Sequence, residues 1–392
     1  MKPRLIYGPT PVISIKYMSE AMRRHGYETA TYVYGVYGIN SRKDFDYYIF
    51  DIPGASTAAP RSRAGRLLFG RYAVFLWLMR RFDVFHYFFD GGFLAGTPLR
   101  FLELQLLHLA AKGAIVMPYG SDVAVPSQIA SVEWRRGLAA SYPELARHES
   151  RTLRQIDYFS RHADVVVACI FHMETLPRWD LLTIHYYPID TDSWRPTLSP
   201  RETRKELVVA HTPNHRSLKG TDELIRACEE LQADGYPVRL ILLEGVSNDE
   251  VRQVVSDCDV LAEQFLHGYA LSAIEGMSLG KPVLSNLSDG RYYDLLRLRG
   301  GLDECPILST TPDQIRAHLI KLMDDPDLRR TLGVAGREYV LRFHSFEAVT
   351  AMWERVYRRV WDGEEIELGI WKPPPIDEPT AADARRQTRT SA

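Results

Sequence analysis

Two successive runs in which short apolar segments alternate with helical ones predict an α/β protein built from two parallel-sheet domains. The first run starts at Arg4 and the second near Leu207, and 392 residues exceed what a single hydrophobic core ordinarily organises. A hydrophobic content of 45%, a charged content of 25% and a net charge of −2 describe an ordinary globular chain with no global attraction for a polyanion. Nucleic acid is therefore not an expected partner.

In the first half, "RLIYG" (4–8) reads as a strand, "KYMSEAMRRHGYE" (16–28) as a helix and "TATYVYG" (29–35) as the next strand. "YAVFLWLM" (72–79) is the most apolar run, but Arg71, Arg80 and Arg81 bound it far short of the roughly 20 residues a membrane span needs. It reads as a buried helix, with contact to a membrane surface as the alternative for an aromatic, arginine-flanked segment. "FDVFHYF" (82–88), "AIVMPYG" (114–120) and "ADVVVAC" (163–169) follow as strands. Between the first two, Leu99 to Lys112 carries Leu102, Leu106 and Leu109 at helical spacing and closes on Gly113.

The second half begins with the strand "LVVAHTP" (207–213) and the helix "TDELIRACEELQADG" (221–235). "VRLILLEG" (238–245), "NDEVRQVVSDC" (248–258) and "DVLAEQ" (259–264) continue the alternation. In "HGYALSAIEGMSLGKPV" (267–283), Leu271, Ile274 and Leu279 fall near helical spacing, Gly280 and Pro282 supply a stop, and Glu275 sits mid-helix. A lone glutamate is by default solvated; buried, it needs a basic neighbour or a ligand. The helix 345–361 carries Phe346, Val349, Trp353, Val356 and Val360 on one face and requires a surface to cover them.

Domain spans follow: 1–192, a linker at 193–205, 206–344, the helix at 345–362, and a proline-rich, then polar tail at 363–392 that reads as disordered. Truncation after Trp361 is expected to leave activity intact. Ligands of such proteins bind in crevices at the C-terminal ends of strands.

The loop "HTPNHRSLKG" (211–220) joins a strand to a helix whose first turn carries Asp222 and Glu223. Strand, basic loop, glycine and helix together suit a phosphate, and Arg216 and Lys219, three apart, are the candidates to hold one diphosphate. The first strand ends in "YGPTP" rather than Gly-x-Gly-x-x-Gly, and no Walker pattern occurs, which disfavours a nicotinamide or P-loop site. Asp-x-Asp occurs at Asp44, Asp190 and Asp257, but such pairs arise readily by chance, and no metal is expected. Cys169, Cys228, Cys258 and Cys305 lack metal-ligand spacing, and the chain opens without a secretory pattern. A reduced, cytoplasmic protein is the expectation.

"RSLKGTDELIRA", "VRLILLEGVSNDEV" and "HGYALSAIEGMSLGKPV", in that order, resemble the C-terminal half of the family-4 glycosyltransferases. "FDVFHYFF", "MPYGSDV", "RHADVVVAC" and "YYPIDTDSWRP" are similar to segments of its N-terminal half and interdomain region, so the resemblance covers roughly residues 1–362. It implies the GT-B fold: two Rossmann-like domains facing a cleft, with the C-terminal helix crossing back to the N-terminal domain. It further implies retaining, metal-independent transfer from a nucleotide-sugar, UDP- or GDP-linked, to a saccharide or lipid-linked acceptor, in the cytoplasm or peripherally at the inner membrane face.

Carried onto this chain, Arg216 and Lys219 would neutralise the donor diphosphate and Glu275 would accept the ribose hydroxyls. Val246, His267, Gly268, Tyr269, Ala270 and Leu271 would complete the donor site, while His86 and Asp122 would face the acceptor as catalytic candidates. Two positions depart from the family pattern. His267 stands where the first of two glutamates eight apart is usual, and Tyr119 replaces the histidine before the Gly-Ser-Asp turn. Alternatives are a GT-B nucleotide-sugar epimerase or hydrolase, and a degenerate non-catalytic relative.

Overall fold

The structure, a computed structural model, describes residues 1–38, 40–48, 63–169, 173–184, 187–196, 206–266 and 268–374. The N-terminal domain runs β1 (Leu5–Tyr7), α1 (Ser14–Arg24), β2 (Thr29–Val33), β3 (Tyr47–Tyr48), α2 (Arg63–Arg81), β4 (Val84–Tyr87), α3 (Glu103–Leu109) and β5 (Gly113–Val116). It continues through α4 (Val132–Ser141), α5 (Leu145–His162), β6 (Val165–Ala168) and β7 (Leu181–Leu182). The second domain comprises β8 (Leu207–His211), α6 (Arg216–Lys219), α7 (Thr221–Ala233), β9 (Val238–Leu242), α8 (Asn248–Asp257), β10 (Val260–Ala262), α9 (Leu271–Ser278) and β11 (Val283–Ser285). After it come α10 (Gly290–Arg299), β12 (Leu308–Ser309), α11 (Ile315–Asp324), α12 (Pro326–Phe343), α13 (Phe346–Val360) and β13 (Gly369–Ile370).

All strand pairs among the described residues are parallel. The first sheet has the order β13-β7-β6-β5-β4-β1-β2-β3 and the second β12-β11-β10-β8-β9. Central strands such as β4 ("VFHY") and β8 ("LVVAH") are buried at every residue, which is why they read as continuous apolar runs rather than alternating ones. Side-chain caps start several helices: Ser247 accepts from the Glu250 N–H before α8, and Ser345 from the Ala348 N–H before α13. In both sheets the crossing helices leave the C-terminal strand ends to form the facing walls of the cleft.

Helix α13 packs its apolar face on the N-terminal domain. Trp353 lies with its ring centroid 5.1 Å from that of His86, and the Tyr357 hydroxyl is 3.1 Å from the Tyr7 hydroxyl. Three sequence expectations change here. The stripe of α3 is not Leu102, Leu106 and Leu109; the buried residues are Glu103, Leu104 and Leu107, while Leu102 and Leu109 face solvent. Glu103 turns inward because its carboxylate accepts from the Phe93 and Leu94 N–H groups, both at 2.8 Å.

The second change concerns residues after Trp361. The segment to Trp371 is ordered: β13 adds a strand beside β7, the Trp371 N–H donates to the Leu182 carbonyl at 3.0 Å, and Leu368 and Trp371 are buried. A sequence window of low hydropathy concealed one tryptophan and one leucine placed to fill a sheet edge, and residues 375–392 lie outside the described part. Third, α2 is a buried helix on one side only. Val74, Phe75 and Leu78 enter the core, whereas Leu76 is 48% exposed. Among the described residues, no helix is long and apolar enough to cross a membrane.

Candidate active site

The chain turns sharply after β8. His211 ends the strand fully buried, with Nδ1 2.8 Å from the Ala262 carbonyl and Nε2 2.8 Å from the Thr221 hydroxyl, so it ties β8, β10 and α7 together. Burial pushes its pKa down to about 4, which makes it a neutral brace at ordinary pH. The one-turn α6 then ends on Gly220 at φ +68°, a left-handed conformation that glycine adopts without a Cβ penalty.

Lys219 emerges from this turn into the interior, 7% exposed. Its ammonium donates to Glu263 Oε1, in a carboxylate that also accepts from the Ser272 hydroxyl at 2.9 Å and the Ser285 hydroxyl at 3.1 Å. Glu263 stands one residue beyond β10 and is 1% exposed. Glu275, on α9, is the second buried carboxylate of the cluster and accepts from Asn248 Nδ2 at 3.0 Å. Burial pushes its pKa up to about 7; the Asn248 hydrogen bond and the Lys219 charge pull it down, and Glu263 adds to the rise. One ammonium thus faces two carboxylates. The cluster is held by polar contacts rather than by packing.

Arg216 does not share that pocket. It is half-exposed at the mouth and donates to both oxygens of Glu244, at 2.8 and 2.6 Å. With Ser217, Asp222, Glu223 and Leu266 it lines an open cleft whose opposite wall, Glu133, Arg136 and Gly137, belongs to the N-terminal α4. Three-residue spacing in a single helical turn therefore sends one cation inward and the other outward. The expectation that both meet one diphosphate requires Arg216 to leave Glu244.

The remaining donor-side candidates divide. The Gly268 N–H donates to the Asn286 carbonyl at 3.1 Å, and a side chain at this position would collide with Gln264, so its role is close backbone approach. Tyr269 points away from the cleft into the core, where its hydroxyl bonds His344 Nε2. Ala270 is the N-cap of α9 and supplies no side-chain cap, and Leu271 opens that helix and packs near Tyr17 and Phe346. Val246 is half-buried in the loop before α8. His267 lies outside the described residues.

On the acceptor side, His86 does not line the cleft. It is 1% exposed beneath α13, stacked on Tyr7 at 4.3 Å, with Nε2 3.0 Å from the Tyr357 hydroxyl. Burial drives its pKa down to about 3, so it is a neutral core ring, placed on a central strand one register earlier than the strand end.

Asp122 is also structural. It accepts from the N–H groups of Phe89 (3.1 Å), Tyr119 (3.0 Å) and Gly120 (2.9 Å), tying the loop after β4 to the turn after β5. Burial and then Asp90 push its pKa up to about 7 against those three donors. The more accessible carboxylate is Asp90, which accepts from the Thr10 hydroxyl at 2.6 Å and whose pKa burial raises to about 6. Thr10, Asp90 and Tyr119 follow the adjacent strands β1, β4 and β5. The neighbouring Tyr142 hydroxyl, 2.5 Å from His215 Nε2, joins this region to the start of α6.

Sequence reasoning missed Glu263, Asp90, Asn248 and Tyr17. Glu263 and Asp90 were within reach, since each follows a strand at its C-terminal end, the position that lines crevices in open α/β sheets. The Asp-x-Asp pairs serve the fold. Asp44 bonds Lys16 and the Ser41 N–H, Asp46 the Thr31 N–H, Asp190 Arg24, and Asp259 the Val208 N–H.

Two parallel Rossmann-like sheets across a cleft, a charged cluster at the strand ends of the second, and a C-terminal helix returning to the first define the GT-B class. No family model matches the chain. It is 24% identical over 334 residues to the MMP alpha-(1->4)-mannosyltransferase of Mycolicibacterium hassiacum, covering 76% of this chain and 74% of that protein. In fold it is similar to the Anabaena protein HepE, solved in complex with UDP-glucose, at a TM-score of 0.58 and 12% identity over 90% of this chain and 99% of that one. A glycosyltransferase from Rickettsia africae gives a TM-score of 0.54 at 11% identity over 92% and 98%. The chain has the GT-B fold, and the proteins it is similar to in sequence and in fold include glycosyltransferases.

Proposed function

We propose that the chain transfers a hexosyl group from a nucleoside diphosphate sugar to a saccharide or lipid-linked acceptor, with retention and without a metal ion. The observation that carries the donor assignment is the buried Lys219–Glu263–Glu275 cluster, on α6, just beyond β10 and on α9. Lys219, on exchanging Glu263 for the diphosphate, places a positive charge where the leaving group develops negative charge. Glu275 is the acceptor for ribose hydroxyls. Arg216, released from Glu244, adds a second cation at the outer end of the diphosphate.

UDP- and GDP-sugars are the donors to test first, given the UDP-glucose bound by the similarly folded HepE and the mannosyl transfer named for the sequence relative. Asp90, with Thr10 and Tyr119 beside it, supplies hydroxyl-accepting groups on the acceptor wall. No disulfide joins the four cysteines, which fits a reducing compartment. Leu76, Arg80 and Arg81 on the outer face of α2 are the surface that would meet a membrane carrying a lipid-linked acceptor.

The test is a thermal-shift titration with UDP, GDP, ADP and dTDP, since a ligand of the native state raises the melting temperature by mass action. Lys219→Ala alone would strand the buried Glu263, so the control is the double variant Lys219→Ala/Glu263→Gln. One nucleotide shifting the wild type but not the double variant supports the assignment; equal shifts in both would remove Lys219 from the donor site.

A further inference from the structure

Glu275 is linked to the opposite domain through two hydrogen bonds. Tyr17, on α1 of the N-terminal domain, donates its hydroxyl proton to Asn248 Oδ1 at 2.9 Å, and Asn248 Nδ2 donates to Glu275 Oε1 at 3.0 Å. The direction is set by chemistry. Burial raises the Tyr17 pKa, so the phenol stays a donor. With its Oδ1 taken by Tyr17, the Asn248 amide can present only its NH2 group to Glu275.

The relay is also mechanically tied. Tyr17 is 8% exposed and packs with Ala21, Phe346 and Leu271, the last being the first residue of the helix that carries Glu275. Asn248 is the first residue of α8, whose N-cap Ser247 is engaged with the Glu250 N–H, so its backbone is held. The groups facing Glu275 are Asn248 from α8, Lys219 from α6, Glu263 from the end of β10, and Tyr17 from α1. Asn248 alone among them donates a hydrogen bond to the carboxylate.

A carboxylate has about four lone-pair sites, so one bond from Asn248 leaves room for two ribose hydroxyls while fixing the orientation of the group. We infer that Asn248, oriented by Tyr17 across the domain boundary, is a positioning residue that aims Glu275 at the donor ribose. Discrimination of ribose from deoxyribose then depends on the N-terminal domain being docked. The inference rests on the ribose role of Glu275 given above.

Calorimetric titration of the full chain with UDP and 2′-deoxy-UDP, and with GDP and 2′-deoxy-GDP, tests it. Wild type should favour the ribonucleotide of its preferred base by at least about tenfold, the lower end expected for a hydrogen bond to a charged group. Asn248→Ala should bring that ratio to within about threefold while leaving affinity for the deoxynucleotide nearly unchanged. Tyr17→Phe should reduce the ratio part of the way, and should add nothing in the Asn248→Ala background, because coupled residues are non-additive. Asn248→Asp, which keeps size but replaces the donor by a carboxylate oxygen, guards against an effect of side-chain loss alone and should also lower the ratio. A wild-type ratio preserved in Asn248→Ala overturns the relay while leaving the donor site standing. A wild type that does not distinguish the two nucleotides overturns the ribose role of Glu275, and the relay with it.

Discussion

Glu275 is the residue on which the functional reading turns, and its environment makes a prediction that needs no substrate. Burial raises its pKa to about 7 from the 4.5 of a free glutamate. The folded state therefore holds this proton more tightly than the unfolded chain. Its stabilising contribution is full below about pH 4.5 and is lost as pH rises through about 7, on the order of 3 kcal/mol in total. Glu275→Gln keeps an oxygen for Asn248 and has no charge to bury. The melting temperature of the variant minus that of wild type should therefore grow between pH 5 and pH 8 in the absence of ligand, and a difference independent of pH would contradict the buried environment. In the same variant, affinity for the bound nucleoside diphosphate should fall at least about tenfold by calorimetry. Lys219 and Glu275 were legible as candidate site residues because both stand in short motifs. Their partners Glu263, Asn248 and Tyr17 are 44, 27 and 258 residues away in sequence from the groups they serve, measured from Lys219 for the first and from Glu275 for the others. Only the fold brings them together.

At the level of elements, α9 must approach α12 closely for Glu275 to reach the cluster. Small residues permit it: a Cβ at Gly333 would run into the Gly280 carbonyl, and one at Gly336 would stand 3.2 Å from the Met277 side chain. Gly333→Ala should destabilise the protein by about 1–3 kcal/mol, the range for overpacking a tight contact, and should lower the melting temperature by several degrees. An unchanged melting temperature would mean that the helices separate without cost. The strands and helices of both domains were largely readable, since buried parallel strands leave apolar runs and crossing helices leave periodic ones. Less readable were elements whose signal is two or three residues long. Strand β13 shows as "LGIW" in a polar, proline-rich stretch, yet Arg355 lies over the Trp371 ring at 5.5 Å and donates to the Glu367 carbonyl at 3.0 Å. Truncation after Trp361 should therefore cost about 3–5 kcal/mol, the range for losing a buried tryptophan, and should be visible in a denaturant titration as a lower midpoint. A midpoint matching that of the full chain would return the segment to the status of a tail.

In the whole molecule, the two domains are joined by more than the linker. Helix α13 covers His86 and Tyr7, Ile189 pairs with Ser345 where the chain crosses, and Arg337 donates to the carbonyls of Thr191 and Trp194. His86 belongs to this crossover core, so a histidine near a strand end is covered by α13 rather than open to solvent. Tyr142 with His215, and Tyr17 with Asn248, bring the N-terminal domain directly against the loop after β8 and the start of α8. The central claim, that this assembly moves a sugar from a nucleotide to an acceptor, is tested most directly by measuring nucleoside diphosphate release from UDP- and GDP-linked hexoses with and without a panel of saccharide acceptors. Release should depend on an acceptor and be lost in Lys219→Ala/Glu263→Gln. Release at the same rate without any acceptor would instead identify a hydrolytic or isomerising enzyme and contradict the claim.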